Sequence, residues 1–403
     1  MDYVDIRNDR YEFLAKSSTI YPKFRLDILD KYEKNVVDEI VEDISQDNSG
    51  SISVNYQQGV RMSCSISFIN KDNKYTPSFK TGMFWLGSKF KLYIGLADPD
   101  NDDIYWFSEG VYYVNNPTNN NNFSSKIVTI NGIDKFGLLS GDLGYNQLTG
   151  NYRISAGQKI YDIIRSILLM DKGNGELIDY IDPLLDPLYK DEVLPYDINK
   201  SAGSYLGDIL IELANILGAN IYYDKTGRLV VSSGTTDISY SKEAAIWDFS
   251  DKETEYMDNS LTYDYTNVIN SVTVIGNNTN DKIYSYTAEN NNVFSPTRIS
   301  YIGKKELAPI ETAMAYNEDR AKDYAEFELN RKSILQSTIS FNCSLIPTLD
   351  VNRVCTITDD YYGFNTERFI IQSLSFPLTT TSTMQVSASN IASLPYYDTL
   401  TGG

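Results

Sequence analysis

The 403-residue sequence predicts a β-dominated α+β chain, with two related barrel-like regions flanking a helix-containing insert. Three observations predict it. Tyr, at 32 copies, and Ile favour strands, while abundant Asn and Asp favour turns. Apolar and polar residues alternate in short runs towards both ends of the chain, whereas the middle changes to helical spacing. The length, at roughly 150 residues per domain, allows about two to three domains, each able to bury a core.

The expected order is an N-terminal segment over 1–20, a first β-barrel domain over 21–145, an α+β insert over 146–255, a second barrel over 256–393, and a C-terminal tail over 394–403. In the first barrel, Phe24 to Leu29, Ser51 to Tyr56, Phe90 to Leu96 and Lys126 to Ile130 read as period-two strands bounded by Asn, Asp, Gly or Pro. In the insert, Ser155 to Gln158 has capping-box spacing, and Ile160, Ile163, Ile164, Ile167 and Leu168 follow at helical intervals, predicting a helix near 156–171 that Gly173 stops. A second helix near 204–217 carries Leu206, Ile209, Leu210, Leu213, Ile216 and Leu217. Gly218 follows it, and a hairpin runs over 219–233 through the turn Asp224 to Gly227.

The last region resumes strands at Asn267 to Gly276. One long helix near 309–331 interrupts it, with Pro309 in the first turn and Ile310, Met314, Ala321, Ala325 and Leu329 on one stripe. Strands return through Ile339, Cys355 and Phe369. Lys91 to Asp134 and Val354 to Asn390 share an order of strand, acidic turn, strand, Pro-bearing connection and strand, which reads as an internal repeat.

Composition excludes much chemistry. The chain has no histidine, so Ser-His-Asp and Cys-His nucleophiles and imidazole metal sites are out. A net charge of −19 opposes a broad phosphate-binding surface. Cys64, Cys343 and Cys355 lie in separate apolar runs and read as buried small residues, not as a disulfide framework or zinc cluster. No basic and apolar leader opens the chain, and no apolar run approaches the ~20 residues a bilayer requires, so a soluble protein made in a cytosol is expected, without stable membrane insertion. Asp98, Asp100 and Asp102 alternate as ligands of a hard cation would, yet they lack an EF-hand's central Gly and closing Glu. A solvated turn is the better reading there and at Asp359-Asp360. No catalytic residue, cofactor site or phosphate loop stands out, and Trp85, Trp106 and Trp247 read as core or interface anchors.

The order of segments carries a resemblance. Gly50 to Val54 precedes Cys64 to Asp72, then Lys91 to Leu96 and Gly110 to Val114; the helix and hairpin from Leu206 to Val231 follow. Val268 to Gly276, Ser295-Pro296-Thr297 leading to Ile302-Gly303, the long helix and Ser344 to Asp350 complete the series. Over roughly residues 20 to 393 this resembles the tail hub proteins of bacteriophages, the baseplate hub of contractile tails and the N-terminal hub module of siphophage tail-associated proteins. Asp350-Val351-Asn352-Arg353 stands where such proteins commonly have a Gly-Asp turn.

The resemblance implies tail-tube-like barrels, no enzymatic activity and a homotrimer at the tail tip or baseplate of a virion, assembled in the host cytoplasm. It implies a tail tube or distal tail protein above, a spike or fibre protein below, a tape-measure protein as neighbour, and DNA only in passage through the channel. On this reading acidic channel walls would repel DNA, and the Tyr excess would serve interfaces. Two other classes compete: a carbohydrate-binding adhesin using exposed Tyr and Trp, and a two-carboxylate glycosidase or wall hydrolase.

Overall fold

Alternation of small polar and apolar side chains shapes most of this molecule. In Ser51-Ile52-Ser53-Val54 and Ser63-Cys64-Ser65-Ile66-Ser67-Phe68 the apolar members are all buried and the serines all face outward. Period two puts one set on each face of a sheet. The computed structural model describes residues 9–17, 19–41, 44, 50–70, 72–78, 80, 83–101, 103–121, 126–145, 147–233, 243–252, 256–276, 283–380 and 383–390.

The first region contains β1 (Pro22–Leu29), β2 (Val36–Ile40), β3 (Gly50–Asn55), β4 (Met62–Ile69), β5 (Lys89–Ala97), β6 (Ile104–Asn121) and β7 (Lys126–Asp134). The insert adds β8 (Tyr152–Ile154), β9 (Leu184–Leu185), β10 (Ile198–Lys200), β11 (Ala219–Tyr223) and β12 (Leu229–Ser233). The last region holds β13 (Asp248–Ser250), β14 (Met257–Asp264), β15 (Ser271–Gly276), β16 (Ser285–Glu289), β17 (Ile310–Thr312), β18 (Gln336–Cys343), β19 (Val354–Asp359), β20 (Phe364–Pro377) and β21 (Met384–Ser389).

One sheet runs β14-β18-β21-β20-β3-β4-β7-β6-β5-β1-β2, with β19 beside β20 and β13 beside β19. Two units of the same strand order lie within it: β3-β4-β7-β6-β5-β1 and β14-β18-β21-β20-β19-β13. They join where β20 pairs antiparallel with β3, from Ser373 opposite Asn55 to Pro377 opposite Ser51. In the first unit a bridge between Ile44 and Phe68 brings the chain after β2 back to β4, so the sheet curls into a barrel-like form. The apolar side of both units is one continuous core, from Phe24, Phe68 and Phe90 to Phe341, Phe369 and Phe376. Each such side chain, fully buried, contributes roughly 1.5–3 kcal/mol of transfer free energy.

The insert has its own core of Ile160, Ile163, Ile164, Leu210, Leu213, Ile221 and Val231, with Phe136 and Tyr113 reaching in from the first unit. Its helices span Ile160–Leu168 and Leu206–Leu217, and Gly218 ends the second with φ +61. The capping-box reading of Ser155 to Gln158 does not hold. The helix begins after Lys159, without a side-chain cap, because Ile160 donates its N–H to Glu192 O at 3.0 Å and Gly157 turns with φ +84. Gly173 is likewise not the stop: the helix closes at Leu169, and Gly173 lies in a turn whose N–H donates to Asp171 Oδ1 at 2.5 Å.

Between β14 and β18 the chain adds an outer layer, β16-β15-β17, packed on the helix Glu318–Ser333. Pro309 does not open that helix. Ile310 pairs with Val274 as part of β17, and Asn317 caps the helix by accepting from Arg320 N at 2.8 Å. Ala321, Ala325 and Leu329 face the layer as expected. The N-terminal helix Asp9–Ala15 buries Tyr11, whose hydroxyl lies 2.9 Å from Thr348 Oγ1.

Candidate functional site on a continuous sheet face

The serines that alternate with the core residues share a second face. Across the sheet Thr262 and Ser260 lie on β14, Thr338, Ser340 and Asn342 on β18, Gln385 and Ser387 on β21, and Ser373 and Ser375 on β20. The face continues into Ser53 and Asn55 on β3, Ser63, Ser65 and Ser67 on β4, Thr129 and Asn131 on β7, and Asn115 and Thr118 on β6. All are at least partly exposed. Directly opposed residues match in chemistry: Ser375 faces Ser53, Ser53 faces Ser63, and Ser67 Oγ lies 2.9 Å from Thr129 Oγ1. These side chains are short, uncharged, and hydrogen-bond to water or to each other. A depression of about 830 Å³ marks the face where β14, β18, β20 and β21 meet, and Asp258 is the one charged residue lining it.

Behind the face, buried charges lock the insert to both units. Lys225, in the hairpin turn, places Nζ 2.6 Å from Glu109 Oε2 of β6 and donates to the carbonyls of Pro347 at 3.1 Å and Leu349 at 3.0 Å. One ammonium thus touches the first unit and the last region from the insert. Burial pushes the Glu109 carboxyl up to about 7, against the pull of Lys225. Glu109 Oε1 has no hydrogen-bond partner, which fits a carboxyl held by one counter-charge alone.

Arg61 repeats this three-way role. It donates to Asp350 Oδ1 at 2.7 Å and to Val351 O at 3.2 Å, and its guanidinium lies 4.2 Å from the Tyr222 ring centroid. The departure from a Gly-Asp turn is thereby accommodated: Asp350 is paired, and Asn352 takes the left-handed φ of +59. Asp134 accepts from the backbone N–H of Arg61, Met62 and Phe136 at 2.7 to 2.9 Å, while burial raises its pKa to about 6. Lys135 bridges Glu33 at 2.9 Å and Asp179 at 2.8 Å, and Lys89 holds the other Glu33 oxygen at 2.7 Å. Glu33 stays below the usual carboxylate range because these two ammonium groups outweigh its burial.

Of the sequence-nominated acids, Asp98 and Asp100 both pair with the Arg10 guanidinium; Arg10 Nε donates to Asp98 Oδ2 at 2.6 Å. That bond holds Asp98 below its ordinary pKa. The turn is an ion-pair anchor for the N-terminal helix. Asp102 lies outside the described residues. Among the described residues no group of three or more Cys, Asp or Glu side chains could hold a metal ion, and no helix is long and apolar enough to cross a membrane. Asp359 accepts from Tyr256 Oη at 2.9 Å and from Asn259, so it too is structural. The three cysteines are buried and form no disulfide.

A scan of protein families and a search of characterised proteins give no match to this chain. Solved structures do match. A tail protein from Neisseria meningitidis aligns over 94% of this chain and 97% of its own, with TM-score 0.62 and 12% identity. The 43 kDa tail protein of prophage MuSo2 from Shewanella oneidensis aligns over 91% and 97%, with TM-score 0.58 and 12% identity. This chain has a phage tail-protein fold. A third match, a type VI secretion component from E. coli described as structurally similar to two tail proteins of bacteriophage T4, covers 93% of this chain and 77% of its own, with TM-score 0.50 and 10% identity. The tail-protein fold accounts for the paired β units and the helical insert that the sequence predicts.

The tail-protein face and its buried lock were only half visible beforehand. Alternating serines reveal strands locally; that the strands from β14 to β6 present hydroxyl and amide side chains on one side, while β1 and β5 carry Arg25, Lys91 and Tyr93, follows only from the registers. Lys225, Glu109 and Arg61 carry no local signal, because each is defined by partners far away in sequence.

Proposed function

We propose that this chain is a non-catalytic structural subunit of a phage tail or related tail-like assembly. It acts as a hub: a homotrimer whose paired β units form a pseudo-sixfold ring. The ring meets a tail tube or distal tail ring above and supports a spike or fibre protein below, with a tape-measure protein as neighbour. It resides at the tail tip or baseplate of the virion.

The observation that carries this reading is the join of two like-ordered units in one chain, with a face of mostly hydroxyl and amide side chains running across it. Such a face binds neither phosphate nor base strongly, since affinity for a nucleic acid backbone is mostly cationic. We assign it to the wall past which DNA moves. The wall then carries little charge, Asp258 being the one charged residue lining its depression, in place of the strongly acidic wall that the net charge suggested. The buried lock supports a rigid adaptor, because charges removed from water hold only in one geometry.

The competing classes have less support. A cleft of about 820 Å³ between the insert and the outer helix does carry Glu192 and Asp323 beside Tyr196, Tyr316 and Tyr324. Both carboxyls are half-exposed, with Arg320 beside them, whereas a glycosidase acid needs an apolar pocket. Light scattering on the purified chain tests the hub. A particle near three times 45.6 kDa, alone or with a tube protein, is expected. A strict monomer that cleaves or binds polysaccharide would overturn it.

A further inference from the structure

The two units use one junction inside the chain and leave its counterpart empty. In the second unit, β20 outruns its neighbour β19, and beyond Ile370 the vacated edge is taken by β3. In the first unit, β6 outruns β5 in the same manner. Val114 donates its N–H to Ser88 O at 2.9 Å, as Ile371 does to Arg353 O at 3.0 Å. Past Val114, no described strand takes that edge of β6, although β7 pairs the other edge as far as Asn121. The strand that corresponds to β3 is β14. It pairs with β18 on one side and with no described strand on the other. The chain therefore carries both halves of a second such junction, at positions separated by β18, β21, β20, β3, β4 and β7.

We propose that β14 of one copy pairs antiparallel with the vacant edge of β6 in the next copy, in the register of the internal junction. Partners fix that register. Ser375 of β20 lies opposite Gln385, and its counterpart Thr118 lies opposite Thr129; Ser53 lies opposite Ser63, and its counterpart Thr262 lies opposite Thr338. Since Ser375 faces Ser53, Thr118 faces Thr262 of the adjoining copy, Asn119 faces Leu261, and Pro117 faces Tyr263. The hydroxyl face then continues from copy to copy.

Burial supports this independently. Trp85-Leu86-Gly87-Ser88 enters β5 as Asp350-Val351-Asn352-Arg353 enters β19, and Gly87 (φ +80) and Asn352 (φ +59) share the left-handed turn. Val351 is 2% exposed, and its carbonyl accepts from Arg61 in the segment that follows β3, whereas Leu86 is 80% exposed. A groove of about 1180 Å³ lies beside the vacant edge, lined by Trp85, Leu86, Pro117, Leu143 and Tyr145. The matching end of β14 presents exposed Tyr263 and Tyr265, stacked at 6.2 Å, with Tyr265 in the place that Tyr56 holds after β3. Aromatic side chains on one edge thus meet a groove of apolar and amide side chains on the other, in which Asp142 is the one charged residue. The Asn115 to Asn121 edge carries no charge, so it opposes β14 without the repulsion expected between copies of net charge −19.

The pairing rests on the ring reading above, and one experiment separates their failures. Thr118→Cys and Thr262→Cys are introduced together into the full chain, with Val36→Cys plus Thr262→Cys as the control for pairing through the other exposed edge, β2. Cross-strand partners lie about 5.5 Å apart at Cα, within disulfide reach. On mild oxidation the first pair is expected to give linked dimers and trimers on a denaturing gel, and the control none. A trimer in which only the control links overturns the pairing and leaves the ring; a chain monomeric at all concentrations overturns both. Leu86→Arg, exposed in a single copy, is expected to keep the monomer's melting temperature and weaken self-association tenfold or more. Phe294→Arg, on the equally open outer layer, is expected to leave association unchanged. The opposite pattern overturns the pairing.

Discussion

The two β units share a strand order but solve their cores differently. Where the first unit sets Phe90 opposite Tyr112, stacked at 5.5 Å, the second sets Cys355 opposite Phe369. The neighbouring strand answers in kind. Gly132 of β7 stands where Ala388 stands in β21, and a Cβ added at Gly132 would come within 2.7 Å of both Cys64 Sγ and Phe90 Cζ. A large aromatic in one unit is matched by a missing methyl beside it, a smaller thiol in the other by a methyl retained. Core volume is conserved while its distribution changes, as close packing demands. The units differ at their flanks as well: β1 pairs antiparallel with β5, but β13 pairs parallel with β19. The repeat lies in topology and hydrogen-bond register, where backbone geometry constrains it, and hardly in side chains.

The largest effect should come from cutting the lock that holds the insert against both regions. Lys225→Met leaves Glu109 buried without its counter-charge and should cost about 3–5 kcal/mol at pH 8 in urea unfolding. Adding Glu109→Gln should recover part of that loss. A cost no greater than a surface substitution would mean that the two regions are held by packing alone.

Next in size is the exchange between the units. Gly132→Ala should destabilise by about 1–3 kcal/mol through overpacking against Phe90. The mirror change, Ala388→Gly, should cost about 1 kcal/mol through lost strand order. Calorimetry on both variants checks the sign of the comparison; a stabilising Gly132→Ala would break it.

A smaller effect appears with pH. The folded Glu109 carboxyl titrates at about 7 against an ordinary value of 4.5, so between those values the unfolded chain has released a proton that the folded chain keeps. This group's contribution therefore falls as pH rises from about 4.5 to about 7 and is flat above. Asp134, raised to about 6, adds a fall that ends lower. Chemical denaturation across this range should show that Glu109→Gln loses the upper part of the slope and keeps the lower; an unchanged slope above pH 6 would place the titration elsewhere. Smallest of all, Arg10→Ala frees the N-terminal helix from the Asp98 turn at the surface, and the melting temperature should fall by less than for any variant above.

The sequence by itself determined the β-dominated class, the helical insert, the hairpin over 219–233 and the lack of imidazole chemistry. Period-two alternation and helical spacing are local, so neighbouring residues suffice to reveal them. The repeat between Lys91 to Asp134 and Val354 to Asn390 was visible for the same reason. The helix starts expected at Ser155 and Pro309 do not form, because cap signals yield to strand pairing and docking: Ile310 joins β15, and the 155–158 turn docks on Leu194 through Gly157 N. Only the tertiary structure decided that β20 and β3 fuse the units into one sheet, that the serines share a face, and that Lys225 and Arg61 each touch three parts of the chain. Those contacts join residues more than a hundred positions apart. Their energy depends on burial and register, which no stretch of sequence carries alone.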